Sequence, residues 1–166
     1  MKNTIRNKNG ITMLILVITI VVLAILAGSV VTITKNNITD SKIYSFVNEL
    51  EIIERKMTVI NKEIALGSTA YDSIGTKYDD IADVYNEKVK ERVENVLSKN
   101  GIEDFTNYRY LSAENGDLLK LGLKNINQDV IISYDNSIVC SYDGLIIDGK
   151  TYYSISEVRT LQNEML

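Results

Sequence analysis

NGITMLILVITIVVLAILAGSVVTIT, residues 9–34, is the stretch whose reading decides the fold. Its 26 consecutive residues carry no charge. A helix rises about 1.5 Å per residue and about 20 apolar residues cross a bilayer, so residues 11–33 predict a membrane-spanning helix. Val and Ile dominate the run, but it outlasts any ordinary buried strand. Thr12, Thr19, Ser29 and Thr32 can return their hydroxyls to the helix backbone. Lys2, Arg6 and Lys8 precede it with no acid among them. The positive-inside rule therefore places that end in the cytoplasm and residues 35–166 across the membrane. With those three cations set aside, the formal charge of -4 becomes -7 on the remainder. Two other readings fit the segment. It is a secretory signal cut near Ala27-Gly28-Ser29, or a plain membrane anchor carrying an uncleaved extracytoplasmic binding module.

Composition removes several chemistries. The 166 residues include no His, no Trp, no Pro and one Cys. No intrachain disulfide forms from one Cys, and no His serves as a general base, so Ser-His-Asp and Cys-His sites are excluded. Zinc lacks its commonest nitrogen ligand. The acidic balance argues against a broad nucleic-acid footprint. No phosphate loop, dinucleotide fingerprint or metalloprotease helix appears, no cofactor is implied, and nothing assigns an enzymatic activity.

Beyond Thr34 the chain turns polar, and Thr39 or Asp40 is placed to cap a new helical turn. Ile43, Phe46, Leu50, Ile53, Met57, Ile60 and Ile64 then recur at 3-4 spacing, which sets them on one helix face until Gly67 ends it. That face predicts packing on a sheet of its own domain. Residues 67–77 read as a surface connection. A second helix is expected from Asp79 or Asp80 to Lys99, closed by Asn100-Gly101. The last third reads as β: Tyr108–Leu111, Val130–Tyr134 against Ile138–Tyr142, and Leu145–Ile147 against Thr151–Ile155 across Asp148-Gly149-Lys150. Residues 117–122 look like one or two helical turns, and Ser156 is placed to cap a terminal turn. The expected class is α+β. A long N-terminal helix, membrane-spanning in its first half and amphipathic in its second, is followed by a second helix and a small antiparallel sheet of three to five strands.

Gly10-Ile11-Thr12-Met13-Leu14, behind a short basic leader and ahead of an unbroken apolar helix, resembles the start of type IV pilins and pseudopilins. The order Tyr-Leu, Asp-Leu-x-Lys-Leu-Gly, a Val-x-x-x-Tyr hairpin and Gly-Lys-Thr-Tyr-Tyr-Ser looks like the tail of pilin-like proteins of low-GC Gram-positive anaerobes. The likeness covers residues 1–34 and 108–156. It implies a leader (1–10), an assembly helix (11–34) and an extracytoplasmic head (35–166). It implies cleavage by a prepilin peptidase after Gly10, and N-methylation of Ile11. Its implied partners are other pilin-like subunits, the membrane, the peptidase and an assembly platform; nucleic acid enters only through a DNA-uptake filament. Its implied place is the cell membrane, and the cell surface when assembled.

One departure bears on the role. The family's usual Glu at the fifth mature position is Ile15 here, and the helix-kinking proline is missing. A charge in an apolar bundle costs several kcal/mol unless paired, so an Ile11 ammonium would need another partner. That fits a minor or atypical subunit of a pilus-like or secretion filament. Thr12 and Ile15 belong to its packing surface, and Ala24 and Gly28 form a small-xxx-small face that permits close helix approach.

Three aspartates in turns, Asp135, Asp143 and Asp148, are candidates to converge on calcium. Their spacing lacks the alternating ligands and distal Glu of a helix-loop-helix site. Turn chemistry accounts for them without metal. Cys140 falls in a predicted strand as a buried thiol, and the six Tyr of the sheet region suit a half-buried pleated surface.

Overall fold

The computed structural model describes residues 8–135 and 137–164, with side chains described outside 8–12, 14, 26–38 and 164. The chain divides into two compact units, residues 1–41 and 42–166.

α1 is one helix, Lys8–Ala65. The new cap expected at Thr39 or Asp40 does not form, because no Gly or Pro lies between Ser29 and Leu66 to interrupt the backbone ladder. The expected membrane-spanning first half is corrected as well. Among the described residues, no helix is long and apolar enough to cross a membrane. The described apolar side chains run unbroken only from Ile15 to Ile25. At 1.5 Å per residue that run measures about 16 Å, roughly half of a ~30 Å hydrocarbon core. In this unit Thr19 Oγ1 donates to Leu16 O at 2.8 Å, the internal return expected of a hydroxyl on an apolar helix.

In the second unit α1 ends in a Schellman motif. Gly67 has φ +92, its N–H donates to Ile64 O at 2.8 Å, and Ser68 N donates to Glu63 O at 3.0 Å. β1 (Thr76–Lys77) follows inside the stretch read as a loop, paired with β2 (Tyr108–Leu111). The single helix expected from Asp79 to Lys99 is split. A 3-10 turn (Tyr78–Asp80) runs into α2 (Ile81–Val84), and α3 (Glu87–Lys99) starts anew. The cause is Asn86, whose extended backbone breaks the helix and whose side chain accepts from Val89 N at 3.1 Å as the α3 cap.

α4 (Asp117–Lys120) is a single turn, where one or two are expected. β3 (Val130–Ser133) and β4 (Val139–Ser141) complete an antiparallel sheet in the order β1-β2-β3-β4. β5 (Leu145–Ile147) and β6 (Lys150–Tyr152) pair separately as a two-stranded sheet. The expected final strand 151–155 stops early, because α5 (Ile155–Glu164) begins. Its cap is Ser154 rather than Ser156. Glu157 N donates to Ser154 Oγ at 3.4 Å while Ser154 N donates to Glu157 Oε2 at 3.2 Å, a reciprocal capping box.

The α+β class and the small antiparallel sheet are therefore present. The four-stranded sheet is covered on both faces. Ile43, Phe46, Leu50, Ile53, Met57 and Ile60 of α1 pack with Leu111, Val130, Ile132 and Val139. On the opposite face, Val93, Val96 and Leu97 of α3 pack with Tyr108, Tyr110, Ile131 and Cys140. β3 is buried along its whole length, as a central strand between two helical layers must be. Burying each large α1 side chain contributes about 1.5–3 kcal/mol.

Candidate functional site

The assembly segment is read first. Met13 and the apolar residues from Ile15 to Ile25 stand exposed, Ile15 at 56% and Val22, the least open of them, at 47%. Ala24 is exposed with them. Successive residues of a helix turn by about 100°, so eleven consecutive exposed positions point in every direction around the axis. A helix apolar on all sides is ordinarily buried. This one holds apolar surface toward solvent, uncovered by the described residues of its own unit. The leader residues 1–7 lie outside the described residues. So does everything around Gly10, Ile11, Thr12 and Gly28 except the helical backbone that passes through them. The Ala24–Gly28 face is thus described only at Ala24.

The turn aspartates do not assemble. Asp148 opens the β5–β6 turn with φ +47. Asp143 stands 4.0 Å from Arg92 Nη2, and the same guanidinium donates to Tyr142 O and Asp143 O. Among the described residues no group of three or more Cys, Asp or Glu side chains is placed to hold a metal. The three positions serve turns and one ion pair.

Cys140 is buried in β4. Burial first, and then the charges of Glu157 and Glu54, push its thiol up to about 12. A thiol so far above neutral pH stays protonated and unreactive. The tyrosines divide by environment. Tyr108, Tyr110, Tyr152 and Tyr153 are buried. Tyr85, Tyr110 and Tyr142 stack edge to face with centroids 5.0 and 5.1 Å apart, and the Arg92 guanidinium lies 5.2 Å from the Tyr142 ring centre. These rings pack edge to face against one another, with Tyr110 buried and Tyr85 and Tyr142 half-buried.

Sequence reasoning missed Asp129. Its carboxylate accepts from Tyr110 OH and, at 2.8 Å, from Ala113 N, while its carbonyl accepts from Tyr142 N at 2.9 Å. One residue thereby ties β2, the turn before α4, and the segment after β4. Burial first, then the Asp129 hydrogen bond, raise the Tyr110 hydroxyl far above its ordinary 10.0. No local motif announces such a clasp, because its partners lie 16 and 19 residues away.

An open groove is lined by Lys42, Ser45, Phe46, Glu49, Gln128 and Leu145, among others. Gln128 Nε2 donates to Glu49 Oε2 at 2.9 Å and Gln128 Oε1 accepts from Ser141 Oγ at 2.8 Å, so both ends of the Gln128 amide are already engaged. Neither the groove nor the clasp assembles a nucleophile with a base. No family model, no curated protein and no solved structure matches this chain.

Proposed function

We propose that the chain is a structural subunit of a pilus-like or secretion-type filament, processed after Gly10 and packed helix to helix through its apolar segment. The observation that carries this reading is the all-round exposure of Ile15 to Ile25. Apolar surface on every side of one helix is covered most economically by several like helices. Copies of the same segment supply them, and this requires no length matched to a bilayer. The separate core of residues 42–166 supports the division of labour, because the passenger's fold uses none of the described apolar side chains of the first segment. Ile15 in place of a carboxylate makes the subunit atypical, either minor or terminal. An assembled copy stands at the cell surface, with the peptidase and an assembly platform as its partners.

Intact-mass measurement of the protein from its native source tests the reading. Mature chains that begin at Ile11, with or without one methyl group, are the expected result. Chains that retain Met1 to Gly10 would overturn the processing step, and loss through Ser29 would indicate a secretory signal instead. Gly10→Leu should abolish maturation while the chain still accumulates. Ile15→Glu should alter incorporation into filaments and leave the melting of the head unchanged. Ile20→Lys should disperse assemblies of the purified full chain, read by sedimentation.

A further inference from the structure

The loop before β3 presents carboxamides by a simple alternation. In Asn125-Ile126-Asn127-Gln128, Ile126 is buried in the core that α1 forms with the sheet, while Asn125 and Asn127 on either side of it stand exposed. Asn125 holds φ +67, a left-handed value that Asn tolerates better than most residues. Both Asn line the groove beside α1, together with Lys42, Glu49 and Gln128. Its volume of about 380 Å³ lies within the range of about 300–1,000 Å³ usual for small-molecule sites. Phe46 and Leu145 supply its apolar part. A chain of hydrogen bonds fixes one polar wall. Ser141, buried in β4, donates to Gln128 Oε1, Gln128 Nε2 donates to Glu49 Oε2, and Ser45 donates to Glu49 Oε1 at 3.3 Å. One amide N–H of Gln128 and further lone pairs of Glu49 stay uncommitted. Among the described residues, the side chains of Lys42, Asn125 and Asn127 make no hydrogen bond or ion pair.

We propose that this groove binds a neutral saccharide carrying an acetamido group. Lys42 and Glu49, the charged side chains of its described lining, are opposite in sign. A phosphate or carboxylate ligand would meet Glu49, and an organic cation would meet Lys42. A nucleobase needs an open aromatic face to stack on, and Phe46 is only 7% exposed. A peptide strand is held by a run of open backbone groups, whereas the donors and acceptors of this groove are side-chain amides. The ligand that fits is neutral, gives and takes hydrogen bonds at closely spaced positions, and has an apolar surface as well. A sugar ring has that form, with hydroxyls at its rim and C–H groups on its face. Its hydroxyls donate to Glu49 and accept from Lys42 and the carboxamides. An acetamido group adds an N–H and a C=O, the complement of a carboxamide's own C=O and N–H, and a methyl group for Leu145 and the edge of Phe46. The site lies wholly within residues 42–166 and does not depend on filament assembly.

Isothermal titration of the full chain with N,N′-diacetylchitobiose tests it, and cellobiose is the matching disaccharide with hydroxyls in place of both acetamido groups. Diacetylchitobiose should bind with a dissociation constant on the order of 1 mM, within reach of an open groove. Cellobiose should bind on the order of tenfold more weakly, the loss expected when one or two hydrogen bonds and a methyl contact are removed. Asn127→Ala and Lys42→Ala should each weaken diacetylchitobiose binding on the order of tenfold. Both positions are exposed, so thermal unfolding of these variants should match the wild type. Lys150→Ala, in the β5–β6 turn and outside the groove lining, should bind as the wild type does. Absence of binding at about 10 mM diacetylchitobiose would overturn the proposal. So would equal affinity for the two sugars, or wild-type affinity in both Asn127→Ala and Lys42→Ala. Tighter binding of N-acetyl-trialanine amide than of either sugar would assign the groove to a peptide and overturn it as well.

Discussion

Two stretches of α1 are made of the same residue types and meet opposite surroundings. From Ile43 to Ile60 the residues of the 3-4 stripe, Ile43, Phe46, Leu50, Ile53, Met57 and Ile60, are buried, the last four completely, while Tyr44, Ile52 and Val59 off the stripe are exposed. From Ile15 to Ile25 the apolar residues are continuous and exposed. Spacing makes the difference. A periodic stripe has one apolar face, and a single sheet covers it. A continuous run has no polar face to leave in water, so no one neighbour within a small domain can satisfy it. Hydrophobicity alone does not separate the two stretches; its angular distribution does.

The largest effect expected from breaking this contrast lies in the core stripe. Ile53→Ala should destabilise the 42–166 unit by about 2–5 kcal/mol, since a fully buried side chain leaves a cavity between α1 and the sheet. Ile20→Ala, at an exposed position of similar chemistry, should change the same transition by no more than about 0.5 kcal/mol. Denaturant unfolding of both variants measures the pair. If Ile20→Ala costs as much as Ile53→Ala, the two stretches are not independent in stability.

Alkaline titration sharpens the contrast next. The stretch from Ile15 to Ile25 contains no titratable side chain. In the other unit, burial lifts the Tyr134 hydroxyl from 10.0 to about 12 against the opposing pull of Arg109, whose guanidinium lies 5.2 Å from the ring centre. Folding therefore favours the neutral phenol. That stability is fully present below pH 10 and is lost as pH rises through about 12. The contribution is of order 2 kcal/mol. Tyr134→Phe should make the decline of head stability between pH 10 and 12 less steep, leaving the part due to Tyr78, Tyr110 and Cys140, which burial also raises. A slope unchanged by the substitution would count against it. A smaller local effect comes from Ser154→Ala, which removes the α5 cap and should cost about 1 kcal/mol in the same denaturation assay.

What the sequence made legible follows the same division between local and distant causes. The α1 stripe, the stop at Gly67, the α4 turn and the strands of the last third all rest on period or on turn residues. Each was readable because its signal lies within a few positions. The split at Asn86 was missed because Val84, Tyr85 and Val89 keep helical spacing across it, and only the cap hydrogen bond to Val89 N reveals the break. β1 was missed because two residues carry no alternation, and they become a strand only by pairing with Tyr110 and Arg109. Asp129 looked like any polar residue before a strand, since its partners were set by tertiary packing. The membrane span was over-read from length and apolarity. Cleavage at Gly10 rests on pattern alone.

The smallest effect tests whether the polar side of α1 in the head is structural or merely solvated. Glu51 receives Arg159 of α5 at 2.9 Å and Arg55 at 3.2 Å, with 63% of the Arg159 side chain open to water. Such exposed pairs contribute about 0.2–1 kcal/mol and fade as salt shortens the screening length. A double-mutant cycle on Glu51 and Arg159 should return a coupling in that range at low salt and almost none at about 1 M salt. Glu54 gives an independent reading of the same cation. Its carboxyl is raised above 4.5 by burial, opposed by Arg159 and reinforced by Glu51. Arg159→Ala removes the opposing charge, so Glu54 should titrate at a still higher pH, followed by carboxyl NMR. A downward shift would mean that Arg159 holds Glu54 out of water rather than stabilising its charge, and would make the contact one of packing.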